Sequence, residues 1–234
     1  MPLNPSQARK TKARKAYQKA LKRRNKTNNP NRALVLSYPG YNFLPPKALT
    51  KLRYCMEGEI TSGESLLVKD IVIRGNSIYD PEYAAGGGQP LAHDQLATLY
   101  NKYRVHTCAI KLTFNNTSGV PTRICIVPNS IGTSFTAMLD ACEQPYAKTK
   151  AVAVYSGGPS CNSVKGKQSS KLMLGHDLDD EEEATFGASP VNEWMWHCVI
   201  STDPYTASNY IVGSYYIEVI YGVEIYDRLT LARS

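Results

Sequence analysis

The chain has 234 residues, 42% of them apolar, enough for one folded domain with a core of useful size and too apolar for wholesale disorder. No run approaches the roughly 18 apolar residues of a membrane span, and the charged N-terminus lacks the apolar stretch of a secretory signal. The net charge of +7 divides unevenly: residues 1–32 hold 11 of the 27 lysines and arginines and none of the 20 acids, so the other 202 residues carry 16 basic and 20 acidic groups, a net of −4.

That first segment repels itself and cannot bury enough apolar surface to fold alone. Such a block is the electrostatic footprint of a polyanion-binding arm. The candidate contact residues are Arg9, Lys10, Lys12, Arg14, Lys15, Lys19, Lys22, Arg23, Arg24 and Lys26. They would neutralise phosphates without reading sequence. Ala13, Ala16, Tyr17, Ala20 and Leu21 recur at helical spacing, with Ser6 as a cap and Asn28-Asn29-Pro30 as a stop. A basic helix formed against its ligand and free disorder are equal readings of this stripe. Tyr17 suits stacking on an unpaired base as well as it suits the stripe. Lys22-Arg23-Arg24, with the cluster from Arg9 to Lys15, also fits a nuclear address read by import machinery.

Residues 33–47, with Tyr38-Pro39-Gly40 and Leu44-Pro45-Pro46, read as an irregular linker, and a folded body is expected over 48–234. The first acid is Glu57, so Lys47, Lys51 and Arg53 carry positive charge into that body. Runs rich in β-branched and aromatic residues predict eight strands, at 49–60, 65–79, 103–116, 121–128, 147–155, 170–175, 191–201 and 212–228. Helical spacing predicts two short helices, 93–103 through Leu96, Leu99, Tyr100 and Tyr103, and 134–143 through Phe135, Met138, Leu139 and Cys142. Strands do not alternate with long helices, which argues against a parallel α/β sheet. The expected fold is all-β: an eight-stranded single jelly roll, a two-sheet antiparallel sandwich with the two helices in its loops.

Little in the chain points to catalysis. Gly86-Gly87-Gly88 lacks the Lys-Ser/Thr pair of a phosphate loop. His93, His106, His176 and His197 have no zinc-site spacing, and no cofactor or metal is expected. Six cysteines without a Cys-x-x-Cys pair exclude a zinc ribbon and argue against a disulfide framework; they are expected to be reduced and mostly buried. Cys108 or Cys198 would need a distant histidine to act as a nucleophile, and no local signature supports that. Asp177, Asp179, Asp180, Glu181, Glu182 and Glu183 lack the glycine and spacing of a calcium loop and read as a solvated loop. Asn115-Asn116-Thr117 fits a glycosylation sequon that a chain without a signal peptide would not use.

One segment is more specific. Gly75-Asn76-Ser77-Ile78-Tyr79-Asp80-Pro81-Glu82-Tyr83, then Gln89-Pro90, Asp94-Gln95 and Leu99-Tyr100-Asn101-Lys102-Tyr103-Arg104-Val105 resembles the capsid proteins of small circular, Rep-encoding single-stranded DNA viruses. The close match covers about residues 74–114, and the layout agrees over the whole chain. The resemblance implies a jelly roll with no catalytic residues. It implies self-assembly into a small icosahedral shell of about 60 copies, with the arm inside on a single-stranded DNA genome. Residence would be in the virion and, during assembly, in the host nucleus. Two departures stand out: the arm mixes six lysines with five arginines, where the family's is dominated by arginine, and Leu96 stands where the family often has an aromatic residue. Competing expectations are a coat protein of a small RNA virus with the same wall and arm, or a cellular basic nucleic-acid-binding protein.

Overall fold

A computed structural model describes residues 44–61, 67–84, 86, 88–178, 180–202 and 210–230. The strands are β1 (Lys47–Ile60), β2 (Val68–Arg74), β3 (Tyr100–Asn116), β4 (Thr122–Asn129), β5 (Lys148–Val152), β6 (Cys161–Ser169), β7 (Glu183–Thr185), β8 (Met195–Thr202) and β9 (Gly213–Arg228). One sheet has the order β1-β9-β3-β6, with β7 on the same edge of β3 as β6; the other has the order β2-β8-β4-β5. Every pairing is antiparallel. The chain passes from sheet to sheet after β1, β2 and β3, returns after β5 and crosses again around β8, leaving its first and last long strands paired. This wrapping is a jelly roll. Eight strands build it, and β7 is a three-residue addition.

Alternation explains the first sheet. In β9, Ile217, Val219, Tyr221, Val223 and Ile225 face inward and are buried, while Glu218, Glu224 and Tyr226 face out. β3 does the same with Tyr103, Val105, Cys108, Ile110, Leu112 and Phe114. A bulge between Val105 and Thr107 shifts the phase, so that Val105 and Cys108, three residues apart, both reach the core. The second sheet answers with Ile71, Ile73, Ile124, Ile126, Trp196 and Ile200. Gly166 in β6 lets the two layers meet: a Cβ there would stand 2.6 Å from the Trp196 ring. The second sheet is covered on its other face too. Met138 and Ala141 pack with Cys125, Val127 and Val199, which is why β8 is buried at every position.

Three short α-helices occur among the described residues: α1 (His93–Ala97), α2 (Met138–Cys142) and α3 (Ser170–Leu174). The first corrects the expectation of a helix over 93–103. Helical spacing at Leu96, Leu99, Tyr100 and Tyr103 is overridden from Tyr100 onward by the long ladder to β9. Strand 170–175 is also corrected. Ser169 accepts the backbone N–H of Leu172 as an N-cap, and Gly175 takes a left-handed φ of 82°, so the segment closes into one helical turn. The strand is instead β6, just upstream, whose polar outer face and buried Gly166 hid it from an apolar pattern. Residues 75–79, expected to continue the second strand, form a loop.

Candidate nucleic-acid interface

The ten arm residues from Arg9 to Lys26 lie outside the described residues. The body has charge organisation of its own. On the outer face of the first sheet, four cations are matched to glutamates: Lys47 to Glu224 (3.5 Å), Arg53 to Glu218 (2.9 Å), and Lys102 (2.5 Å) and Arg104 (3.7 Å) to Glu183. Beyond β3 the pattern changes. Lys165 and Lys167 on β6 and Lys148 and Lys150 on β5 are exposed, and Lys111 on β3 stands directly opposite Lys165. None of these five makes an ion pair among the described residues. Glu218, on the other side of Lys111, is taken by Arg53.

These lysines meet where β5 and β6, the edge strands of the two sheets, run beside each other. Lys148 Nζ donates to the Lys165 carbonyl at 3.3 Å, and Asn162 Nδ2 donates to the Ala151 carbonyl at 3.0 Å. Side chains thus bridge this edge of the sandwich and hold the ammonium groups on one margin. Composition carries a signal for it: Gln144 to His176 contains five lysines and no acid. That local excess of lysine is masked by the net charge of −4 over residues 33–234.

The acidic run is not a solvated loop throughout. Glu182 is buried, accepts from Asn192 Nδ2 at 3.2 Å and lies 3.5 Å from His176 Nε2. Glu183 holds Lys102, Arg104 and the Tyr226 hydroxyl. Burial works against its ionisation, but hydrogen bonds from Lys102 and Tyr226 and the two nearby cations outweigh it and hold its pKa below the usual 4.5. No group of three or more candidate metal ligands occurs among the described residues. A carboxylate with a lowered folded pKa stabilises above its unfolded value and loses that contribution as pH falls through the folded one. Stability should therefore decline below about pH 4.5, the ordinary glutamate value. E183Q should be less stable at neutral pH and show a shallower acid limb in urea midpoints measured from pH 6 to 3; an unchanged limb would refute this.

The residues that carry the family resemblance span the β2–α1 loop, α1 and the start of β3. Arg74 Nη1 donates to the carbonyls of Asp80 (2.8 Å) and Glu82 (3.0 Å), Nε pairs with Glu193 at 2.9 Å, and the guanidinium lies over the Tyr83 ring. Asn76 bridges two backbone groups, donating to Asn192 O at 2.7 Å and accepting from Trp194 N at 3.1 Å. Ser77 contacts Tyr103 OH at 3.3 Å, and Tyr103 donates to Ala188 O at 2.9 Å. A side chain at Gly75 would run into the Trp194 ring, 2.5 Å from a Cβ. The motif is a structural latch between the β2–α1 loop and the segment before β8.

Neither Cys108 nor Cys198 is poised as a nucleophile. Cys108 and Cys198 are fully buried, and burial pushes both thiols well above the usual range, which disfavours the reactive thiolate. Cys198 faces the core while its neighbour His197 faces the opposite side of β8, against Phe135. Cys125 is also buried, but Cys55 and Cys161 are exposed, so the expectation of mostly buried cysteines holds for half of them. His197 belongs to a buried cluster. Nδ1 lies 2.7 Å from Asp70 Oδ2 and Nε2 lies 2.7 Å from the Ile131 carbonyl, while Phe135 N donates to the same Asp70 oxygen at 2.8 Å. This pins the β4–α2 loop to β2 and β8.

No family model and no curated protein matches the chain. Among solved structures, the chain is similar to one of Desmodium yellow mottle tymovirus, with 11% identity over 85% of this chain and 99% of the other and a TM-score of 0.44. It is similar to the decameric BFDV capsid protein, with 11% identity over 76% and 98% of the two chains and a TM-score of 0.42. For the structure of Cocksfoot mottle virus the identity is 10%, the coverage 78% and 96%, and the TM-score 0.46. All three scores lie below 0.5, and the fold assignment rests on the strand order and registers described above.

Proposed function

We propose that this chain is a viral coat protein whose jelly-roll body forms a shell and whose basic arm packages single-stranded nucleic acid, with DNA as the cargo favoured by the motif at residues 75–105. One observation carries the reading: a closed eight-stranded jelly roll is joined in one chain to an acid-free segment of 32 residues bearing 11 positive charges. The body's chemistry supports a structural role, since buried Asn76 and His197 pin loops and Cys108 and Cys198 are sealed in the core. Charge concentrated in one terminal segment suits counterion exchange with a polyanion. The purified chain should form particles of about 60 copies, on the order of 1.6 MDa, built through repeated heterologous contacts. Native mass measurement, with nuclease typing of the protected cargo, tests this. A monomer or small oligomer that binds nucleic acid would favour the cellular reading, and protected RNA would replace DNA as cargo.

A further inference from the structure

We propose that the margin formed by Lys111, Lys148, Lys150, Lys165 and Lys167 is a second nucleic-acid-binding surface, on the folded body and separate from the arm. This deepens the packaging reading and rests on it. Lysine on exposed strand edges can simply prevent edge-to-edge pairing. That role asks for a charge on each edge and explains no more. It does not ask for Lys111 opposite Lys165, since like charges directly across a ladder are destabilising. Nor does it ask for five neighbouring cations without an ion pair among the described residues, when Lys47, Arg53, Lys102 and Arg104 on the first sheet have glutamate partners.

An external polyanion accounts for both features. Alternate residues on one strand lie about 6.7 Å apart, so the lysines form a ladder and not a convergent pocket, which suits an extended anionic chain better than a small anion. The ladder itself contains no apolar anchor. Protein interfaces are depleted in lysine, whereas phosphate contacts use it. Tyr146 and Tyr155, flanking β5, are 55% and 73% exposed, and unpaired bases stack on such rings.

The test uses the full chain and a 30-nucleotide oligo(dT), with binding followed by fluorescence anisotropy across a salt series. Each lost single-strand phosphate contact removes about 0.7 from the log–log salt slope. The variant K148Q/K150Q/K165Q/K167Q should therefore lose about 3 of slope, and the same four changes to arginine should lose none. Should the quadruple glutamine chain fail to fold, K165Q/K167Q serves in its place, with an expected loss of about 1.4. A wild-type slope in the glutamine variant, while an arm-neutralised chain loses its own, overturns this inference alone. Absence of binding by the wild-type chain overturns it together with the packaging reading. A glutamine variant that keeps its slope but no longer forms particles would make the margin a subunit contact, which also overturns it.

Discussion

Truncating Asp70 to alanine is expected to cost the body about 2–5 kcal/mol, because two buried polar groups lose their partner at about 1–3 kcal/mol each. Both His197 ring nitrogens face acceptors, Asp70 Oδ2 and Ile131 O, each at 2.7 Å. The two side chains are 0% and 1% exposed. Alanine would leave His197 Nδ1 and the Phe135 N–H without their partner. The substitution Asp70→Asn should cost less, because the amide keeps the side chain's size and can still offer an oxygen to the Phe135 N–H. Urea midpoints of D70A and D70N would show the order, and a D70A loss under about 1 kcal/mol would mean that the pair contributes little.

Replacing Arg9, Lys10, Lys12, Arg14, Lys15, Lys19, Lys22, Arg23, Arg24 and Lys26 by glutamine should produce the largest change in nucleic-acid binding. Ten lost contacts at about 0.7 each remove about 7 from the salt slope. Oligo(dT) affinity measured between 50 and 200 mM salt would check it, and a slope within one of wild type would exclude the arm as the main ligand of the cargo. In a shell of about 60 copies, 11 charges per arm amount to about 660, and five margin lysines per copy would add about 300. A strand of on the order of 10³ nucleotides would then be nearly neutralised by protein. Filled shells should weaken more steeply than empty ones as salt rises.

The all-β class and the places of most strands were legible because half-buried strands leave a period of two, plain in β9 from Tyr215 to Tyr226. Segregation of charge into residues 1–32 needed only counting. Misreadings arose where two local patterns competed. Tyr100 and Tyr103 satisfy helical spacing, yet pairing with β9 decides for strand. Lys171-Leu172-Met173-Leu174 suggests a strand, yet Ser169 and Gly175 close it as a helix. Glu182 and Glu183 sit in a string of acids that reads as solvated, until folding brings Asn192 to one and Lys102, Arg104 and Tyr226 to the other.

Sequence alone therefore determined which segments are extended and how much charge the chain carries, because the first depends on neighbouring residues and the second on composition. Which cations are neutralised was decided only by tertiary structure. Lys102 and Glu183 are 81 residues apart, while Lys111 meets Lys165 only through the register of β3 with β6. Burial of His197 between Asp70 and the Ile131 carbonyl likewise joins three distant segments. Long-range pairing fixes the distances between charges, and electrostatic energy depends on those distances, so no local pattern could reveal it.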